Sequence, residues 1–414
     1  MEIKTMSRVL RDARLVGGRR VDIEITNGLI SGVHDMGTTT SDALGDDLTG
    51  WLVLPALAEP HAHLDNALIA EVATNLRGDL HGAFEAGDAA LAAGKITYDG
   101  TVARAIQAIE LLLVHGVTVV RSHVAVGGDF GARNVAALQE AKSHFKELID
   151  IQLVALPISP VTGPQGVRNR AALAEAVEAG VDLIGGCPHL DPNGPGLIEF
   201  VIQLATEAGL GIDLHVDETL DPAVLTLRDL ARQVQESGFE HPVAASHCVS
   251  LGMQTPEIQA EVAKEVAEAG VTVFCLPQTN LFLQGRDHPR ATPRGLTAVR
   301  ALQDAGVLVA AGADNVQDPF NPVGRSDPLE TASLLVMAGH QTPDDAYRMV
   351  SNDVREGIGL PRLSIEVGSP ADLLVIDAAT PREAMANAPM SRRVYRRGVL
   401  VASSDQQTTV HRRA

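Results

Sequence analysis

A helix that ends in glycine and runs straight into an apolar strand recurs five times in this chain. The junctions are His115-Gly116-Val117-Thr118, Ala179-Gly180-Val181-Asp182, Ala208-Gly209-Leu210-Gly211, Ala269-Gly270-Val271-Thr272 and Ala305-Gly306-Val307-Leu308. Glycine stops a helix here because it adopts the left-handed conformation without a Cβ penalty. Three further strand candidates, 52–58, 151–156 and 242–246, lack this lead-in. Eight strands, mostly preceded by helices, over about 300 residues predict an α/β fold of the (β/α)8 barrel type. An open doubly wound sheet is the alternative. That fold carries Gly-X-Gly-X-X-Gly after its first strand, and none follows here.

The two ends of the chain read differently. Val21-Asp22-Ile23-Glu24-Ile25 alternates, Asn27-Gly28 is a hairpin turn, and Leu29-Ile30-Ser31-Gly32-Val33 follows. Residues 35–50 are polar and predict a loop. Near the other end, Asp372-Leu373-Leu374-Val375-Ile376 predicts a strand. Arg393-Val394-Tyr395 and Val399-Leu400-Val401 flank a turn at Arg397-Gly398. The two ends are expected to pair as one small β-sandwich, with residues 1–55 and 360–414 enclosing a barrel at 56–359. The last residues, 403–414, are polar and predict a frayed tail.

The chain has 414 residues, 45% hydrophobic and 3% aromatic, enough for a large core of small side chains. A net charge of −19 argues against nucleic-acid or anionic-membrane partners. No apolar run reaches the roughly 20 residues of a membrane span. Cys187, Cys248 and Cys275 are odd in number and widely spaced, which fits reduced thiols in a cytoplasmic protein. No basic-then-apolar leader is seen, so a signal peptide is not expected. A homo-oligomer stays open.

Active residues of such a barrel sit at the C-terminal ends of its strands. The first strand ends in His61-Ala62-His63, and residues i and i+2 of a strand share a face. The second gives His123, the fifth His215, the sixth His247 and the eighth Asp314. Each alone reads more simply as a packed polar residue. Together, at one end of one barrel, they predict a metal site suited to Zn²⁺ or Fe²⁺, with an open position for water. Such an ion brings the pKa of its water near neutrality. Glu218, three residues past His215, is either a proton shuttle or a solvated loop carboxylate. Other candidates for the pocket wall are His123, His189, Gln284 and Phe320, the last as a stacking surface for a flat ring. Each has an ordinary packing or surface reading beside it. Asp65 reads as support for His63, and Cys248 as packing.

These residues resemble the amidohydrolase superfamily, whose first strand carries His-X-His, fifth and sixth one His each, and eighth an Asp. The likeness is strongest to the cytosine deaminase branch, and extends to N-isopropylammelide amidohydrolases. It rests on Glu59-Pro60-His61-Ala62-His63-Leu64-Asp65, His215-Val216-Asp217-Glu218 and Ser246-His247. It continues in Asn280-Leu281-Phe282-Leu283-Gln284-Gly285-Arg286 and Asp314-Asn315-Val316-Gln317-Asp318-Pro319-Phe320. The resemblance implies His61, His63, His215 and Asp314 as metal ligands. It implies His247 as the residue that polarises water, with Glu218 and Asp314 completing the catalytic set. No lysine ends the fourth strand, so a carbamylated-lysine two-metal site is not implied.

Two departures bear on the substrate. Cytosine deaminases read the pyrimidine edge with a Gln past the third strand, where this chain places Ile158. Asn315 follows the ligand Asp, as in some triazine-side-chain hydrolases of the branch. The unrelated zinc nucleobase deaminases need Pro-Cys-X-X-Cys, which is absent. The expected activity is hydrolytic deamination of an amino-substituted N-heterocycle by metal-activated water. The alternative is hydrolysis of an N-alkylamino or cyclic amide C–N bond of a triazine, pterin or related ring. A barrel that binds metal and ligand without turnover is a third class, and the intact residue set argues against it.

Overall fold

The computed structural model of the chain describes residues 7–41 and 43–411, so part of the expected tail, 412–414, lies outside the described residues. In chain order the N-terminal strands are β1 (Ser7–Arg14), β2 (Arg20–Thr26), β3 (Leu29–Asp35), β4 (Gly45–Asp47) and β5 (Leu52–Pro55). Then come β6 (Leu57–Ala62), β7 (Val117–Val126), β8 (Asp150–Pro157), β9 (Leu183–Ile184) and β10 (Gly211–Val216). They are followed by β11 (Val243–His247), β12 (Thr272–Cys275) and β13 (Val309–Ala311). The last three are β14 (Leu373–Ile376), β15 (Arg392–Arg396) and β16 (Val399–Ser404).

β6 to β13 form one parallel sheet in strictly sequential order, with no point where the order reverses. That excludes the doubly wound alternative. The sheet is closed by a single parallel bridge between Ala62 and Asp314, so it is a barrel. The five junction glycines, 116, 180, 209, 270 and 306, all have positive φ, as their helix-stopping role requires.

The strands from the two ends build a second sheet in the order β16-β15-β14-β5-β1-β2-β3, with β4 beside β1. In both hairpin turns, Asn27-Gly28 and Arg397-Gly398, the two central residues have positive φ, the geometry of a two-residue type I′ turn. Two expectations need correction. The run 52–58 is not one strand. Leu52–Pro55 pairs antiparallel with β14, and the chain then changes sheet, so that Leu57 onward pairs with β7. Pro55 has no N–H to continue a ladder, and the next N–H, of Ala56, bonds Asp372 O in the terminal sheet. The expected loop at 35–50 also contains β4, which pairs in parallel with Val9–Arg11.

The N-terminal end of the barrel is filled by Ala58, Val119, Ala244, Phe274, Val354 and Ile358. The opposite end is left to polar residues. The terminal sheet has its own core around Leu10, Ile23, Ile30, Val53, Leu373 and Tyr395. Arg392 of β15 joins the two parts, donating from both terminal nitrogens to Asp327 and also to His115 O. No helix among the described residues is long and apolar enough to cross a membrane.

Candidate active site

Four side chains meet at the barrel's C-terminal end. His61 is on β6, His63 just past it, His215 on β10, and Asp314 just past β13. His61 Nε2 lies 3.1 Å from His215 Nε2, which lies 3.2 Å from His63 Nε2. Asp314 Oδ1 lies 3.7 Å from His61 Nε2 and 3.3 Å from His63 Nε2. Burial, followed by the neighbouring imidazoles, pushes His61 and His215 well below the ordinary histidine range. Their nitrogens therefore offer lone pairs. Burial also opposes charge on His63, but Asp314 outweighs it and holds that imidazole above its ordinary value.

The set fits a divalent cation. Asp314 Oδ1 is buried without a hydrogen-bond partner and faces His61 Nε2 and His63 Nε2, and His215 Nε2 faces both of those nitrogens. Three N donors and one O donor suit Zn²⁺ or Fe²⁺. His61 also groups with His215 and His247, and separately with His123 and Asp213, within ligand-atom distances of 4.8 Å.

The residues around this set determine what it can do. His247 has its Nδ1 3.0 Å from Asn280 Oδ1 and 3.7 Å from Glu218 Oε1. Because the amide oxygen accepts, Nδ1 carries the proton. Nε2, buried and unpartnered, then carries the lone pair. Glu218 is buried, and burial raises its carboxyl; His247 pulls it down and Asp314 pushes it further up. A buried carboxyl of this kind is not a solvated loop acid. Asp217, His247 and Asp314 all hold left-handed φ, at 52°, 70° and 67°. Such strain in non-glycine residues concentrates at functional strand ends. Asp217 is held by Thr226 N, Thr226 Oγ1 and Leu227 N at the start of the helix Thr226–Ser237.

The remaining candidates fall in different places. His123 is fully buried, stacked 4.0 Å from the His61 ring with both nitrogens unpartnered, so it backs the ligand cluster without facing open space. His189 bonds His215 O through Nδ1 at 3.2 Å, and burial lowers it to about 3. Gln284 donates to Glu218 O at 3.1 Å and so fixes that loop. The Asn315 side chain accepts from Thr279 Oγ1 through Oδ1 and donates to Asp318 through Nδ2. Phe320 is half-buried and packs edge-to-face on Phe84, with ring centroids 5.5 Å apart. Ile158 is 36% exposed, and its Cδ1 lies against Gly128. Asp65 accepts from Ala125 N and Asn134 Nδ2.

Sequence reading missed several residues. Ser246 Oγ sits 2.8 Å from His61 Nδ1 and donates to Asp213, which is paired with Arg121 at 2.7 Å in full burial. Glu59 accepts backbone N–H groups from His61 and Ala313, and burial pushes its carboxyl up to about 8. Asp318 takes Asn315 Nδ2, Phe320 N and Asn321 N. The available signal was charge on apolar strands, as in Leu57-Ala58-Glu59 and Val120-Arg121. A cavity of about 230 Å³ opens beside Asp318, between Asn75, Arg77, Phe282 and Arg286.

The sequence pattern of the amidohydrolase family matches residues 97–402. The chain is 32% identical over 394 residues to a pterin deaminase of Rhizobium rhizogenes, covering 94% of this chain and 89% of that one. The crystal structure of 5-methylcytosine deaminase from Klebsiella pneumoniae, liganded with 5-fluorocytosine, superposes with a TM-score of 0.87. It is 28% identical and covers 97% of this chain and 99% of that one. N-isopropylammelide isopropylaminohydrolase from Burkholderia multivorans gives 0.82 at 27% identity, covering 96% and 98%. A closed barrel, with the family's sequence pattern matched over residues 97–402, makes this chain a member of the amidohydrolase family.

Proposed function

We propose that the chain is a metal-dependent hydrolase that deaminates an amino-substituted N-heterocycle. Water adds at the ring carbon bearing the amino group, ammonia leaves, and the ring carbonyl remains. The observation that carries this reading is the convergence of His61, His63, His215 and Asp314, with Glu218 and His247 beside them. The relatives named for pterin and 5-methylcytosine deamination support it.

His61, His63, His215 and Asp314 would hold Zn²⁺ or Fe²⁺, which would supply the Lewis acidity that brings the pKa of water near neutrality. His247 offers its Nε2 lone pair to a water O–H and so orients the attack. Glu218 takes a proton from water and returns it to the ring nitrogen or the departing amine. Burial raises its carboxyl above the ordinary range, the direction that favours returning the proton. Gln284 keeps the Glu218 backbone in place. Ile158, partly exposed just past β8, and Phe320, packed on Phe84, would give the substrate an apolar, aromatic side, which favours a ring larger or more alkylated than cytosine. The catalytic unit spans 56–359, a boundary supported by the change of sheet between Pro55 and Leu57. All three cysteines are free, which supports a reducing cytoplasmic setting.

A second reading, hydrolysis of an N-alkylamino group, draws on the likeness to the isopropylaminohydrolase. The test is ammonia release from aminopyrimidines, aminotriazines, aminopurines and pterins by Zn²⁺- or Fe²⁺-loaded protein. Release of alkylamine without ammonia transfers the assignment to the second reading. Stoichiometric metal with no turnover on the whole panel overturns both.

A further inference from the structure

The barrel seam is where two metal ligands meet, and it is the weakest join in the sheet. Every other neighbouring pair from β6 to β13 shares a ladder. Between β13 and β6 the described residues show one isolated bridge, Ala62 to Asp314, with Asp314 N donating to His61 O at 3.1 Å. The missing ladder bonds are replaced by a side chain. Glu59 Oε1 accepts from His61 N at 3.1 Å, and Glu59 Oε2 accepts from Ala313 N at 2.9 Å. One carboxyl group thus holds the backbone of a ligand on one strand and of the residue before a ligand on the other. Its two oxygens reach both strands at once, which a side chain with a single acceptor atom could not do.

The opposite strand leaves room for it. A Cβ at Gly312 would lie 2.1 Å from Glu59 Oε1 and 2.9 Å from Pro60 Cδ. Gly312 has no left-handed φ to explain its presence, so the space itself is the reason for glycine.

We propose that Glu59, with the space left by Gly312, is a positioning residue that fixes the separation of His61 and Asp314 across the seam and thereby sets the affinity for the metal. The inference rests on the metal-site reading above. Glu59 touches neither substrate nor ion; it acts through the backbone of the ligands. Groups that orient ligands from behind typically change metal affinity by about 10- to 100-fold when lost.

The test is Zn²⁺ affinity, measured by competition with a chelating indicator on the full chain, together with the Zn²⁺-induced rise in Tm. Glu59→Gln keeps size but turns one acceptor into a donor facing a backbone N–H. It is expected to weaken Zn²⁺ binding about 10-fold or more and to shrink the Tm rise, with the far-UV circular dichroism of the wild type. Gly312→Ala intrudes on the same contact from the other strand and is expected to act in the same direction; it decides the matter if Glu59→Gln does not fold. A folded variant with a lower apo Tm but Zn²⁺ affinity within about twofold of wild type overturns the proposal, since Glu59 would then serve stability alone. A wild-type chain that holds no Zn²⁺ overturns the metal reading itself, a separable result.

Discussion

Ser246 Oγ lies 2.8 Å from Nδ1 of His61, while Nε2 of the same ring faces His215. The hydroxyl in turn donates to Asp213, whose other oxygen is paired with the buried Arg121. A chain of three residues thus fixes which way the His61 ring is turned. Removing the hydroxyl in Ser246→Ala is expected to weaken metal affinity about 10-fold or more without changing the fold. Chelator competition checks this; unaltered affinity would leave the contact without a role in orienting His61.

Asp314 closes the barrel with its backbone and faces two imidazoles with its carboxylate. Asp314→Ala is expected to empty the site and abolish turnover. Metal analysis of the purified variant is decisive: full occupancy with wild-type activity would remove Asp314 from the ligand set.

Glu218 is buried with Oε1 3.7 Å from His247 Nδ1. Glu218→Gln is expected to retain the metal and lose kcat by about 10²-fold or more, as for a general acid/base. Near-normal turnover would exclude it from proton transfer, whereas loss of metal would make it a ligand.

Ile158 can neither donate to a ring carbonyl nor accept from a ring N–H. Sites that hydrogen-bond a polar edge discriminate strongly against rings they leave unpaired. Cytosine is therefore expected to be a poor substrate beside pterins, alkylated pyrimidines or aminotriazines, and Ile158→Gln to improve kcat/KM for cytosine. A kcat/KM for cytosine above those of the analogues, at about 10⁴ M⁻¹s⁻¹ or higher, would refute the apolar-edge reading.

Burial pushes the carboxyl of Asp318 up to about 7, against the pull of the donors from Asn315, Asn321 and Phe320. A carboxyl whose folded pKa is raised contributes stability that is fully present below its unfolded value, about 4, and is lost as pH climbs through about 7. One proton taken up on folding gives a slope of about 1.4 kcal/mol per pH unit. Urea titrations between pH 4 and 8 are expected to show the wild type losing ground to Asp318→Asn across that window. Parallel pH profiles would show that Asp318 ionises freely in the fold.

The barrel and the strand-end residues that meet in it were legible because both follow from local rules. Each Gly of the helix–strand junctions takes the positive φ its role demands, and His61-X-His63 projects from one strand end under the two-residue strand period. The hairpin turns at Asn27-Gly28 and Arg397-Gly398 were readable for the same reason, since turn chemistry lies in adjacent residues. The run 52–58 misled, because an apolar stretch carries no mark of which sheet it joins. Pro55 ends one ladder and Ala56 turns to Asp372, a residue more than three hundred positions away.

The sequence by itself determined the strand count, the end of the barrel that carries chemistry, and the donor types that meet there. Only the tertiary structure decided how those donors are held. Glu59 joins strands far apart in the chain by accepting from His61 and Ala313, and Ser246 meets His61 across 185 residues. It also tied the Asn315 side chain to Thr279 and to Asp318. Periodicity reports which face a residue is on. A hydrogen bond between distant strands depends on positions to within a few tenths of an ångström, and these exist only once the barrel has closed.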